Sequence, residues 1–348
     1  MATLKDVAAL AGVSRSTAGL VLSGRGDELR IGSACAERVR AAARELRYRG
    51  NYLARSLSIG RAMTIGLAQN VSPLRHMVFW WTAAQGAGAR LREKGYDFLF
   101  VGQGRSESLL DHGASALQER RIDGLIVAMP PTRRLPTLPE PVWPLVLMGR
   151  PPQDGYPGVH LDAAPGIREA VRHLAALWHR DILYLGTRVG EEVRLPERYA
   201  SFREAAAQAG LRHEARWLHG VFAEEIPLEE QIAGYRADIE QTGVPAGITA
   251  VVCYNDLVAV AMVSWLRARG IEVPREVSVV GFDDLWAGLA LPPLTTISHE
   301  LPAIGMRAAD LMVGMLEAGT AYPNGVEVLV PSRLVVRGST GPAPRRGT

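Results

Sequence analysis

The chain opens on two short runs whose apolar residues recur at helical spacing, TLKDVAALAGVSRSTAGLVLSG, from Thr3 to Gly24. Thr3 followed by Asp6 reads as a capping box, hydroxyl and carboxylate each answering a free backbone N–H at a helix start. The spacing predicts a helix over 4–11, a turn at Gly12, Val13 plugging the gap between helices, and Ser14 capping a second helix. On that second helix Thr17, Ala18, Val21 and Leu22 fall on the side facing the first, which leaves Arg15, Ser16, Gly19 and Leu20 outside. A third helix is expected over 36–46, with Val39, Ala42, Ala43 and Leu46 on one face and Arg38, Arg40, Arg44 and Arg47 mostly on the other.

From Met63 the pattern changes to short apolar runs alternating with amphipathic stretches. TIGLAQN, YDFLFVG, GLIVAMP, PLVLMGR and GVHLD read as strands buried on both faces of a parallel sheet, with helix patterns such as TAAQGAGARLREKG between them. A second series follows in DILYLG, ARWLHGVF, ITAVVCYND and VSVVGFDD. The expected fold class is an N-terminal all-α helix-turn-helix domain plus an α/β core of two doubly wound parallel-sheet lobes with a crevice between them.

Charge sharpens this division. The net charge of the 348-residue chain is only +3, but residues 1–60 hold ten Lys/Arg and five Asp/Glu, a net of +5 that leaves −2 for the remainder. A basic module on a near-neutral body is the electrostatic footprint of nucleic-acid binding. A buried helix pair joined by so short a turn is the arrangement whose second helix enters the major groove, an ordinary αα-hairpin being the alternative. Cys35 and Cys253 are far apart with no CxxC, so no disulfide framework or zinc site is indicated. No signal-peptide pattern opens the chain and no apolar run nears the ~20 residues of a membrane span, so a soluble cytoplasmic protein without a membrane partner is expected.

Catalytic motifs do not emerge. VGQGRSE stops after two glycines where a dinucleotide fingerprint needs three, and no P-loop, GxSxG or HExxH occurs. His173 with His179 and His213 with His219 are each six apart, which is not metal-ligand spacing on a helix, so surface histidines are expected. The expectation is a protein that is not an enzyme, with no cofactor, metal or catalytic residue. A solute receptor is the other rival; it requires export, against which the basic first domain argues.

TLKDVAALAGVS at the start, the Arg-Tyr ending of the third helix and NYLARSLSIG at 51–60 make the chain similar to the lactose-repressor/galactose-repressor (LacI/GalR) family of bacterial transcription regulators. RIDGLIVAMP, HLAALWHRDILYLG, RYASFREAAAQAGL, VPREVSVVGFDD and LPPLTTISHELPAIGMRAADLM extend the resemblance, in order, over nearly the whole chain. It implies a helix-turn-helix domain at 1–50, a hinge at 51–60 and a periplasmic-binding-protein-like effector and dimerisation core at 61–340. Lobe 1 would take about 61–161 and 294–320, and lobe 2 about 162–291 and 322–338, with a disordered tail at 341–348. In the family the hinge becomes helical only on operator DNA and wedges a leucine into the minor groove; Leu57 holds that place. Physics agrees, because Asn51 can cap a helix here that is too short to be stable alone, a plain flexible linker being the alternative.

The resemblance thus assigns operator contact to Thr3, Ser14, Arg15, Ser16, Thr17, Gly19, Leu20, Asn51, Arg55 and Leu57. It assigns effector contact to Phe79, Trp80, Arg198, Phe222, Asn255 and Asp283. A carboxylate, an amide and an arginine beside flat rings suit a polyhydroxylated ring. The alternatives are helix caps for Asn255 or Asp283, a surface ion pair for Arg198 and a core place for Phe222. Three departures stand out: Gly149 replaces a usual acidic residue, QNVSPLRHMVFWW is longer than usual, and Ala18-Gly19-Leu20 replaces Val-Ser-Arg. The expected protein is a homodimeric repressor that binds double-stranded operator DNA under control of a sugar-like effector. Gly19 is expected to let the second helix sit close to the phosphates.

Overall fold

The computed structural model describes residues 2–22, 31–48, 56, 60–69, 74–103, 106–129, 144–189, 192–193, 196–219, 226–319 and 325–344. They form two compact units, Met1–Met63 and Thr64–Thr348.

In the first unit, α1 (Leu4–Ala11), α2 (Arg15–Leu22) and α3 (Ser33–Glu45) enclose a small core of Val7, Ala8, Ala11, Ala18, Val21, Ala36, Val39 and Ala42. The capping box forms: the Thr3 amide donates to Asp6 Oδ2 at 2.8 Å and the Asp6 amide to Thr3 Oγ1 at 3.4 Å. The Thr3 amide and hydroxyl both donate to Asp6 Oδ2 and hold that carboxyl below its usual range. Gly12 takes φ 66, a left-handed turn open to glycine without strain, and ends α1. Ser14 Oγ then accepts from the Thr17 amide at 3.0 Å, starting α2.

The second unit is built on two sheets. The first has the order β12-β5-β4-β3-β1-β2, from β1 (Thr64–Gln69), β2 (Asp97–Gln103), β3 (Gly124–Ala128), β4 (Leu145–Met148), β5 (Gly158–Asp162) and β12 (Glu327–Pro331). All its pairings are parallel. The second sheet runs β13-β11-β10-β9-β6, with β8 beside β6. Its strands are β6 (Asp181–Val189), β8 (Arg212–Leu218), β9 (Ala250–Cys253), β10 (Ser278–Asp283), β11 (Thr295–Ser298) and β13 (Arg333–Val335), with a two-residue β7 (Glu192–Val193). The central strands are wholly buried, as their unbroken apolar runs require.

α4 (Leu74–Glu93), α5 (Ser106–Gln118) and α10 (Leu301–Ala318) accompany the first sheet, while α6 (Ala164–Ala176), α7 (Pro196–Gln208), α8 (Leu228–Thr242) and α9 (Asp256–Arg267) accompany the second. The chain leaves the first sheet after Asp162. The other two transitions differ. β11 lies in the second sheet, paired with β10, so the return to lobe 1 falls between Ser298 and Leu301 and not at 291–294. β12 pairs with β5 in the first sheet, so the last crossing falls at Ser332, beyond the expected residue 320. Both corrections have one cause: TTIS and EVLVP are too short for their texture to reveal which sheet they join.

The C-terminal segment is also corrected. Residues 341–344, expected to be disordered, are held by polar contacts. Ser339 Oγ donates to the Val279 carbonyl at 2.6 Å and accepts from the Thr295 amide at 2.8 Å. The Gly341 amide donates to Ser278 Oγ at 3.0 Å and the Ala343 amide to the Leu177 carbonyl at 2.8 Å. His179 completes the clamp, wholly buried between Thr249, Ser278 and the Gly341 carbonyl, so it is no surface histidine.

Candidate functional site

On α2, Ala18 and Val21 are buried in the three-helix core, and successive 100° steps put Ser16 and Leu20 on the far side. Arg15 and Ser16 are exposed and Leu20 is half-buried. Thr3 and Ser14 serve as caps, and the Ser14 and Thr17 hydroxyls are 2.8 Å apart. Gly19 departs from expectation. A side chain there would point at α1, with its Cβ 3.5 Å from Leu4 Cδ2, so the glycine does not clear a path to phosphates. Because 3.5 Å is ordinary contact, Gly19→Ala should stabilise this unit by about 0.5–1 kcal/mol through helix propensity. Thermal unfolding checks the gain, and operator affinity should stay unchanged. Asn51, Arg55 and Leu57 lie outside the described residues.

The second site lies at the carboxyl ends of the core strands. Arg198, on α7, is buried; it donates to the Tyr254 carbonyl at 2.8 Å and lies 3.8 Å over the Phe282 ring. Its guanidinium therefore makes no surface ion pair. Asp283 ends β10 with φ 114, and Asp284 follows with φ 61, two non-glycine residues held in the left-handed region. Arg337 fixes this corner by donating to Asp284 at 2.6 Å. His299, just past β11, donates from Nε2 to Asp283 Oδ1 at 2.8 Å, and Arg198 Nη2 lies 3.5 Å from the same nitrogen. Burial lowers the His299 pKa from its ordinary value, against the opposing pull of the Asp283 carboxylate, and so favours the neutral ring.

Phe79, on α4, meets the His299 ring edge-on at 5.0 Å, so a lobe 1 aromatic touches the crossover beside the lobe 2 cluster. Trp80 is buried, with its six-membered ring in the space that a side chain at Gly149 would fill. Gly149 itself takes φ 88. Trp80 thus occupies the room that a side chain at position 149 would need. Asn255 Oδ1 accepts from the Val258 amide at 3.0 Å, which makes it the N-cap of α9. Phe222 lies outside the described residues.

Sequence reasoning missed Asp256. This buried carboxyl accepts from Thr296 Oγ1 at 2.6 Å and the Leu285 amide at 3.2 Å. Burial, and then the charge of Asp283, push it up to about 7. Gly281 makes room for it, since a Cβ there would run into its Oδ1. His299 was missed as well, being one polar residue in TTISHEL with no periodicity to mark it. Among the described residues no cluster of His, Cys, Asp and Glu could hold a metal ion, and no helix is long and apolar enough to cross a membrane.

A helix-turn-helix unit ahead of two parallel-sheet lobes, with an Arg, an Asp and a His gathered at the strand ends, defines the class of ligand-core regulators. Residues 3–51 match the model of the bacterial regulatory proteins, lacI family, and residues 171–340 that of the periplasmic binding protein-like domain. The HTH-type transcriptional regulator CelR of Thermobifida fusca is 32% identical over 97% of this chain and 98% of its own. The HTH-type transcriptional repressor PurR of Aliivibrio fischeri is 30% identical over 90% and 91%. Among solved structures, the CelR–cellobiose complex superposes with a TM-score of 0.63 at 28% identity, over 97% of this chain and all of that one. The lac repressor dimer bound to operator and the anti-inducer ONPF shares the fold, with a TM-score of 0.71 at 23% identity over 98% and 99%. The chain belongs to the LacI family of bacterial regulatory proteins.

Proposed function

We propose that this chain is a transcriptional repressor whose affinity for operator DNA is set by a sugar bound between its two core lobes. The cluster of buried Arg198 and His299 with half-buried Asp283, facing Phe79 across the crossover, carries this reading. It offers charge-assisted hydrogen bonds beside aromatic faces, the combination that recognises vicinal hydroxyls and the apolar side of a sugar ring. The cellobiose in the CelR complex makes that disaccharide the first probe.

The repressor works as a homodimer on a pseudo-palindromic site, since one helix-turn-helix reads only a half-site. Two exposed apolar patches support self-association. On lobe 1, Trp81 stacks on Phe100 at 5.7 Å beside edge strand β2; on lobe 2, Leu289 and Leu291 stand exposed. Ligand that changes lobe closure changes the spacing of the two hinges, and so whether they fold on DNA.

The test uses operator fragments selected by the protein from random DNA, with gel-shift and calorimetric readouts. Leu57→Ser should weaken operator binding about tenfold or more, because the cost of opening a base step loses its compensating contact, while cellobiose binding is unchanged. Asp283→Ala should abolish the cellobiose response with operator affinity kept. If both variants lose both activities, the division of labour is wrong.

A further inference from the structure

Among the described residues, the buried polar side chains that leave an atom without a hydrogen-bond partner include Gln69, Thr187 and His299, at Gln69 Oε1, Thr187 Oγ1 and His299 Nδ1. Their positions are related by the topology. Gln69 is the last residue of β1, the strand of the first sheet flanked by β2 on one side and β3 on the other. Thr187 lies toward the carboxyl end of β6, flanked likewise by β8 and β9, and two residues beyond the last β6 residue paired with β9. In each sheet that flanked strand is where the winding reverses, and ligands of such sheets bind outside its carboxyl end. His299 follows β11 and joins the lobes.

A buried polar atom with no partner costs the folded state free energy, and such groups are rare in native proteins. Three of them at the switch strands and the crossover mark places that a ligand completes. The chemistry of two is fixed. With Nε2 donating to the Asp283 carboxylate and burial favouring the neutral ring, Nδ1 is left as an acceptor. Gln69 Oε1 is likewise an acceptor, while the Thr187 hydroxyl both donates and accepts.

We propose that Gln69, Thr187 and His299 are specificity-determining residues of the effector site, each closing a hydrogen bond with a hydroxyl of the bound ligand. This rests on the reading of the crevice as a sugar site and deepens it: lobe 1, lobe 2 and the crossover each hold one group that only an occupant satisfies. A ligand with hydroxyls on several edges engages all three at once and favours the arrangement of lobes in which they are simultaneously reached. An apolar ligand leaves the two acceptors bare.

The test compares Thr187→Val and Gln69→Met, which remove the polar atom at near-constant volume, with His299→Gln, which keeps a donor for Asp283 and an acceptor. Without sugar, the first two variants should melt at or above the wild-type temperature, because each deletes an unsatisfied buried group. A groups-in-structure role, with a protein partner for the atom, lowers the melting temperature instead and overturns the proposal. With cellobiose in calorimetry, Thr187→Val and Gln69→Met should each bind tenfold or more weakly, and His299→Gln within about threefold of wild type, the tenfold step being the size of one net hydrogen bond. Wild-type-like cellobiose affinity in Thr187→Val and Gln69→Met overturns the proposal. Absence of cellobiose binding in the wild type counts against the sugar reading alone, and the melting comparison still decides whether these atoms lack a partner in the protein.

Discussion

Gly305→Ala should lower the melting temperature of the Thr64–Thr348 unit by about 5 °C or more. α4 and α10 cross at two glycines. A Cβ on Gly305 would run into the Ala83 carbonyl oxygen and lie 2.7 Å from the Ala87 amide nitrogen. A Cβ on Gly86 would meet the Pro302 carbonyl, including its carbon at 2.7 Å. These neighbours are backbone, so no rotamer change relieves the contact; the helices must separate. Separation opens gaps around Ala83, Ala87, Ile304, Ala308 and Ala309, all buried. Overpacking of this kind costs about 1–3 kcal/mol, and more where backbone must move. In a unit of this size each kcal/mol is worth roughly 2–4 °C. Gly234→Ala is the control: it lies on α8 with nothing near its Cβ position, and the same substitution should there be neutral or stabilising. Equal melting shifts for the two would show that the α4–α10 crossing does not depend on bare backbone.

That crossing shows which parts of the structure the sequence announces. GAGAR and AIGMRAAD contain the glycines, but nothing in either string says that the two segments meet; the constraint exists only between Gly86 and Gly305, 219 residues apart in the chain. Local signals behaved differently. The capping box at Thr3 and Asp6 and the turn at Gly12 delimit α1 because their hydrogen bonds span four residues or fewer. The apolar runs GLIVA and AVVC became central strands because burial on both faces leaves no room for polar alternation. The C-terminal segment failed as a sequence reading for the reason the crossing did. Its order comes from Ser339, Thr340 and Gly341 bonding to Thr295, Ser278 and Val279, and a Gly/Pro-rich composition carries no trace of such partners.

The crevice divides along the same line. Arg198 and Asp283 were legible through matching blocks, and the structure brings them to within reach of one imidazole. Asn255 was legible too, yet its amide oxygen is engaged as a helix cap, the alternative that strand-end asparagines always carry. Gln69, Thr187 and His299 gave no signal. Each is one polar residue among others at a strand end, where a polar residue is equally natural as the first position of a loop. Only topology separates them, by placing β1 and β6 where the sheets reverse.

Leu20→Arg should shift the base preference of the half-site toward guanine by about 1–3 kcal/mol, roughly ten- to a hundredfold in relative affinity. On α2, Ala18 and Val21 turn into the core, so Leu20 stands on the opposite side with Ser16. That is the side a helix-turn-helix presents to the major groove. A leucine there has no donor or acceptor for a base edge; its methyls suit the thymine methyl. Hydrogen-bonding readout then falls to Arg15 and Ser16, both exposed on the same helix. An arginine at position 20 gains two parallel donors for guanine O6 and N7, which the family residues Val-Ser-Arg would place at this turn. The gain is specific to one base pair, whereas an added positive charge alone would strengthen binding to every sequence and steepen its salt dependence. Half-site selection from random DNA, run for wild type and Leu20→Arg at two salt concentrations, separates these effects. Enrichment of guanine at a single position is the expected result. A uniform gain in affinity with no change at any position would place Leu20 against the phosphates, away from the bases, and α2 would have to be rotated about its axis relative to the groove.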